Sequence, residues 1–437
     1  MQMIGGVLLA IVILLAMVTI HEFGHYVAGK LLGFKINEFA VGFGPAIFKK
    51  RSKKTGELFA LRLVPLGGYC AFDGEDEEAE KTEGKNVTEQ ENPFEEMQFT
   101  PSQTENEEGR YALNENAAEF STESAPMEKE KTEDEYPEPK GARFNAQPPW
   151  KRIIVLVAGA TMNYLLALAI ILCMFAFWGR PTYQIIKQEP NEKYQTELAL
   201  ETYQTGLQTG DVILEIEGRK MYLVTDYLDT LKGKKKGEEI EILVLREGEE
   251  KLIKFPLFED FSPENMNDTQ YIFFSLGIAS REEIPDKEGN PVMTLTRGGG
   301  LDSYEHREGF FQTLGSAFVY SFKLGGTILR SLGELITGKL AITTMGGPVT
   351  TITETAKGVV QYGFYYYLNM SAAIGVNLAV FNLLPVPALD GCKVVFCIIE
   401  WIRKKPVNRK VEAILNLVGI VVLFGFAILV DVLHFIL

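Results

Sequence analysis

The chain has 437 residues, 46% of them hydrophobic, and a formal net charge of −15. The apolar residues are bunched into long runs, which excludes a purely soluble protein and indicates a membrane protein with soluble insertions. The charge is local: residues 73–140 hold 23 acidic against 6 basic side chains, leaving the remainder close to neutral, and no nucleic-acid partner is expected.

Three runs reach the length of about 20 residues needed to cross a hydrocarbon core: Met3 to Ala28, Ile153 to Trp178 and Val411 to Leu433. A fourth, Tyr365 to Ile399, is broken by Pro385 and Pro387, and a broken span usually has its backbone buried in protein or lining a cavity. Residues 1–33 lack a charged leading region and an Ala-x-Ala cleavage site, so the first run is expected to be retained rather than removed as a signal peptide. That run ends in His21-Glu22-Phe23-Gly24-His25. Positions i and i+4 share a helix face, so His21 and His25 can hold one metal ion with Glu22 beside it. Polar groups at this depth need a partner or a metal to offset several kcal/mol of desolvation.

Residues 34–72 mix β-branched and aromatic residues with turn signals, Gly42-Phe43-Gly44-Pro45 and Pro65-Leu66-Gly67-Gly68-Tyr69. Short strands in a membrane-associated β region are predicted. Their edge could receive an unwound peptide, with Gly67 and Gly68 as candidate substrate contacts, or the hairpin could merely shape the site. Residues 73–145, rich in Glu, Asn, Thr, Ser and Pro without lasting periodicity, are predicted to be an acidic, disordered cytoplasmic insertion. Residues 146–179 carry the second span and Asn163, which could bridge helices or meet a substrate backbone.

Beyond it, turn, strand, helix and hairpin signals succeed one another from Thr205 to Leu257. Residues 180–258 therefore look like one PDZ-like domain, whose groove could bind a peptide or a substrate's outer remnant, or act as a size filter. Residues 259–305 are loop-rich and predicted to be an extracytoplasmic linker. In 306–340 apolar residues recur at helical spacing but are interrupted by Lys323, Arg330 and Glu334, which fits an amphipathic interfacial helix. Residues 341–400 form the broken third transmembrane region, 401–410 a basic cytoplasmic loop and 411–437 the fourth span. The expected fold is a polytopic α-helical membrane protein of about four transmembrane helices, with a β-hairpin region and one inserted PDZ-like α/β domain.

Lysines and arginines at 49–54, 151–152 and 403–410 put the loops that carry them in the cytoplasm. The N-terminus, residues 180–360 and the C-terminus then face outward. The four cysteines have neither disulfide-framework nor zinc spacing. A catalytic zinc usually takes three protein ligands. The other two histidines, His306 and His434, fall on the outward side, whereas Asp390 sits in the cytoplasmic half of the broken span and is the better third ligand. Zinc would then acidify a water, with Glu22 as the base.

These motifs, together with Ala158-Gly159 to Asn163, Gly346-Gly347-Pro348-Val349 and Asn382 to Gly391, resemble the site-2 proteases, specifically the bacterial regulator-of-sigma-E protease branch. The resemblance covers nearly the whole chain except 73–145. It implies one zinc ion per chain on His21, His25 and Asp390, Glu22 as base and Asn382 in substrate handling. It further implies a multi-pass protein of the cell membrane, active site towards the cytoplasm and PDZ-like domain outside. Such an enzyme performs regulated intramembrane proteolysis on single-span proteins such as anti-sigma factors and remnant signal peptides. Two departures stand out: Ala160 replaces the family's usual proline, and the chain carries one PDZ-like module where some relatives have two. A silent PDZ scaffold and a zinc transporter are the alternatives.

Overall fold

A computed structural model describes residues 2–75, 136–187, 205–261, 270–285, 291–342 and 345–436. No acidic side chain precedes Glu22, and the apolar start forms α1 (Gln2–Leu32). Gly33, at φ +78°, closes that helix in the left-handed conformation glycine tolerates. β1 (Ile36–Arg51) and β2 (Leu58–Phe72) follow. They are longer than the short strands expected, because each bends and pairs twice. Residues 38–41 face both 58–61 and 68–71, while 46–51 pair with 58–62. Residues 68–72 pair on one side only among the described residues, with 36–41, and so form an edge. Buried Glu57 ties this sheet to α1 by accepting from Lys30 and, at 3.0 Å, from the Tyr26 hydroxyl.

Residues 76–135, where most of the disordered insertion is expected, lie outside the described residues. Its flanks are ordered, which narrows the predicted 73–145. Phe144 is buried with ring centroids 5.4 Å from those of Phe34 and Phe72, and its N–H donates to Asp73 O at 2.8 Å. α2 (Pro149–Phe177) opens with proline in its first turn, where a missing N–H breaks no helical bond.

A seven-stranded sheet comes next. Its strands are β3 (Arg180–Lys187), β4 (Val212–Ile216), β5 (Arg219–Lys220), β6 (Glu239–Arg246), β7 (Glu249–Pro256), β8 (Ala279–Pro285) and β9 (Pro291–His306). The order is β7-β6-β4-β3-β9-β8, with β5 on β4. α3 (Val224–Leu231) and α4 (Gln270–Ser275) flank it, and Ile213, Ile216, Tyr227, Ile242 and Phe255 lie in its core. The predicted linker 259–305 is therefore corrected: α4, β8 and β9 belong to this domain. Gly298-Gly299-Gly300 reads as a loop, yet β9 runs through it because ladder hydrogen bonds need only backbone.

α5 (Phe310–Ile336) is the helix expected at 306–340. The two cations that interrupt its apolar pattern point at α3: Lys323 pairs with Asp226, and Arg330 with Asp229 at 2.6 Å. Phe310, Phe311, Phe318 and Phe322 stay exposed.

α6 (Pro348–Leu383) stops before Pro385 and Pro387, and the chain restarts as α7 (Asp390–Arg403) and α8 (Arg409–Ile436). Asp431 in α8 explains an acid within an apolar helix. It accepts from the N–H groups of Val349 and Thr350 at 3.0 and 2.9 Å and from the Thr350 hydroxyl at 2.7 Å, capping α6. Among the described residues, three helical stretches are long and apolar enough to cross a membrane, Met3–Leu32, Pro149–Phe177 and Arg409–His434. α1, α2 and α6 pack together. At the α1–α2 crossing a Cβ on Gly24 would stand 2.4 Å from Ala158 O, so only glycine permits this approach.

Candidate metal centre

His21 and His25 lie one turn apart on α1, with their rings edge to face and centroids 4.7 Å apart. Their Nε2 atoms are 3.2 Å from each other. The proline turn after α6 brings Asp390, the first residue of α7, beneath them. Its Oδ2 stands 3.0 Å from His21 Nε2 and 3.3 Å from His25 Nε2. A tetrahedral zinc about 2.0 Å from each ligand needs donor atoms roughly 3.3 Å apart. The triangle of two imidazole nitrogens and one carboxylate oxygen fits that ion, and it is a three-residue grouping able to hold a metal among the described residues. All three side chains are at least four-fifths buried.

α2 supplies the wall behind the rings. Val155 O lies 2.8 Å from His25 Nδ1, which gives that nitrogen an acceptor and leaves Nε2 for a metal. Asn163 Nδ2 lies 3.3 Å from His21 Nδ1. Between them a Cβ on Gly159 would fall 2.5 Å from His25 Nε2 and 2.8 Å from His21 Cε1. The site has room for both rings because that residue has no side chain. Arg152 at the start of α2 is buried and pairs with Glu400 on α7, tying the helix that carries Asp390 to the helix that carries this wall.

Two cavities open on the triangle. One of about 400 Å³ is lined by His21, Glu22, His25, Tyr69, Cys70 and Asp390, and reaches Glu75 and Lys393. The other, about 250 Å³, is lined by Glu22, Gly67, Gly68, Asn163, Asn382 and Asp390. Every site residue picked from sequence therefore lines one of the two. Glu22 faces both, so it can reach a water at the metal without being a ligand. Burial, and then the Glu22 charge, push the Cys70 thiol well above its usual range, which keeps it a neutral thiol in the wall. His306 ends β9 and His434 lies near the end of α8; neither joins the grouping. The sequence reading missed Val155, named Gly159 only as part of a motif without its clearance for the two rings, and missed the contact from Asn163 to His21. The available signal was their spacing, which puts all three on one face of α2.

Residues 9–426 match the model of Peptidase family M50. The chain belongs to that family. Its relatives include two proteins named zinc metalloprotease RasP. That of Bacillus licheniformis is 27% identical over 92% of each chain, and that of Oceanobacillus iheyensis 28% identical over 95% of each. The regulator of sigma-W protease RasP of Bacillus subtilis is 26% identical over 95% of each chain. An M50 peptidase must bring a water to a peptide carbonyl, and the cavities beside Glu22 offer the space for both.

Proposed function

We propose that this M50 peptidase is a zinc-dependent endopeptidase that cuts the membrane-spanning segments of single-span proteins, as in regulated intramembrane proteolysis. Anti-sigma-factor-like proteins and remnant signal peptides are its substrate class. One observation carries the reading: a ligand triangle with a carboxylate beside it, in which His21, His25 and Glu22 stand on α1, a helix apolar enough to cross a bilayer. His21, His25 and Asp390 hold the ion. When bound, zinc supplies Lewis acidity towards water and the scissile carbonyl.

The remaining steps belong to the chain. Glu22 takes a proton from the attacking water and returns it to the leaving amine nitrogen. A peptide laid along the 68–72 edge is held extended by backbone hydrogen bonds, with Gly67 and Gly68 leaving space for it beside Glu22. Asn382, across the same cavity, donates to a substrate carbonyl. A substrate helix must unwind before its carbonyls are reachable, so helix-breaking residues favour cleavage.

The protein sits in the cell membrane as a multi-pass chain, with α6 and α7 supplying the broken third transmembrane region and α8 the fourth span. The basic residues near the spans orient the site towards the cytoplasm and the seven-stranded sheet outward. That sheet and its helices form the PDZ-like domain, which meets the substrate's outer remnant. The test is cleavage of a detergent-solubilised single-span substrate by wild type and Glu22→Gln. Loss of at least about 100-fold is expected, as for removal of a general base, and equal cleavage overturns the reading.

A further inference from the structure

We propose that Asn163 is a positioning residue that fixes His21 as a metal ligand, rather than a substrate contact or a helix bridge. The inference rests on the zinc site proposed above. Asn163 is fully buried, its Nδ2 stands 3.3 Å from His21 Nδ1, and its Oδ1 is buried with no hydrogen-bond partner. An imidazole that gives Nε2 to a metal carries its proton on Nδ1, and that proton needs an acceptor. A half-turn of the Asn163 amide presents Oδ1 to that proton, giving His21 Nδ1 its acceptor.

The neighbouring ligand shows the same arrangement already made. His25 Nδ1 has Val155 O at 2.8 Å. Val155, Gly159 and Asn163 follow one another at intervals of four, so a single face of α2 serves both rings: an acceptor for His25, a clearance, and an acceptor for His21. The two imidazoles differ in one respect. His25 is oriented by backbone, which no substitution removes, whereas His21 depends on a side chain. Asn163 is therefore the replaceable part of the wall.

The experiment uses the full-length protein in detergent, with zinc alone as probe, and measures zinc retention against a competing chelator for wild type, Asn163→Leu and Asn163→Asp. Asn163→Leu should bind zinc about 10- to 100-fold more weakly. Asn163→Asp keeps an acceptor of the same reach and should hold zinc at least as tightly as wild type. Cleavage by Asn163→Leu should show a lower kcat with KM unchanged. If Asn163→Leu fails to accumulate, Asn163→Ala takes its place, since it removes the amide without adding an apolar branch. Unchanged zinc retention in the apolar variant overturns the inference. So does equal weakening in the Leu and Asp variants, which would mean packing alone, and so does a raised KM with zinc affinity intact, which would mean substrate contact. Wild-type protein that takes up no zinc would overturn the zinc site itself, a result distinct from each of these.

Discussion

Lys393 reaches Glu75 with Nζ 2.7 Å from Oε1, closing one side of the larger cavity, and it stands on α7 one turn beyond Asp390. Glu75 follows the end of β2, so the pair holds the strand beside Glu22 against the helix of the third ligand. Both side chains are partly solvated, and such pairs are worth about 1 kcal/mol or less. Lys393→Met is expected to leave thermal stability nearly unchanged and to slow cleavage by up to about fivefold, the rate equivalent of that energy. A double-mutant cycle with Glu75→Gln should give a coupling of the same size. Additive effects would show that the contact does not steer the strand.

Gly159→Ala is the sharper change. The added Cβ would fall 2.5 Å from His25 Nε2 and 2.7 Å from its Cε1, and the ring can yield only by leaving the triangle. Zinc content should collapse and cleavage should fall by about 100-fold or more, because a shift of about 1 Å in a reacting group can cost that much. Gly5→Ala is the control, since nothing lies within 4 Å of its added carbon. Metal analysis of the two purified variants decides it, and equal zinc content in both would remove Gly159 from the site's wall.

Acid should loosen the junction between the seven-stranded sheet and α5. Burial alone would raise the Glu308 carboxyl, but hydrogen bonds from Lys220 and Ser316 and the charges of Arg180 and Lys220 outweigh it and hold it below its ordinary 4.5. Burial, and then Arg180, likewise lower the His306 imidazole from 6.5. A lowered pKa in the fold means that the unfolded chain binds the proton more readily. Both groups therefore support the fold above their ordinary pKa values and withdraw that support as pH falls. His306 acts from about 6.5 downward and Glu308 from about 4.5 downward. Hydrogen exchange in β3 and the first turns of α5 should rise on acidification through both windows. In Glu308→Gln the lower window should vanish and the upper one persist.

The site was largely legible in sequence because its chemistry is carried by residue types that a bilayer makes conspicuous. His21, Glu22 and His25 are polar within one helix, and Asp390 is an acid beside two prolines, so each stands out without knowledge of the fold. The β9 pairing did not stand out, since its glycines weaken the alternating pattern that marks a strand and its partner β3 lies over 100 residues earlier. Lys323 and Arg330 were ambiguous for a related reason: a cation on an amphipathic helix looks the same whether it meets a headgroup or the carboxylates of Asp226 and Asp229. Asn163 was noticed as polar, but its partner is set by how two helices cross, a relation between segments rather than a property of either.

That pairing of β3 also bears on peptide binding by the proposed PDZ-like domain. PDZ-like domains take an extended peptide by adding it to a free strand edge. Here β3 has β4 on one side and β9 on the other, in register from Arg180 opposite His306 to Lys187 opposite Gly299. On the β9 side a peptide can join β3 only by expelling β9, which would break the ladder over all eight residues of β3. A disulfide tests whether that happens. Gln184 and Asp302 are opposed in the ladder, where Cα atoms lie about 4.5–5.5 Å apart, within the range a disulfide spans. Linking Gln184→Cys to Asp302→Cys should leave cleavage of a trimmed single-span substrate within about twofold of the reduced protein, well inside the tenfold that 1.4 kcal/mol would produce. A loss beyond tenfold that reduction reverses would show that β9 must leave, and that its strand stands in for a substrate peptide.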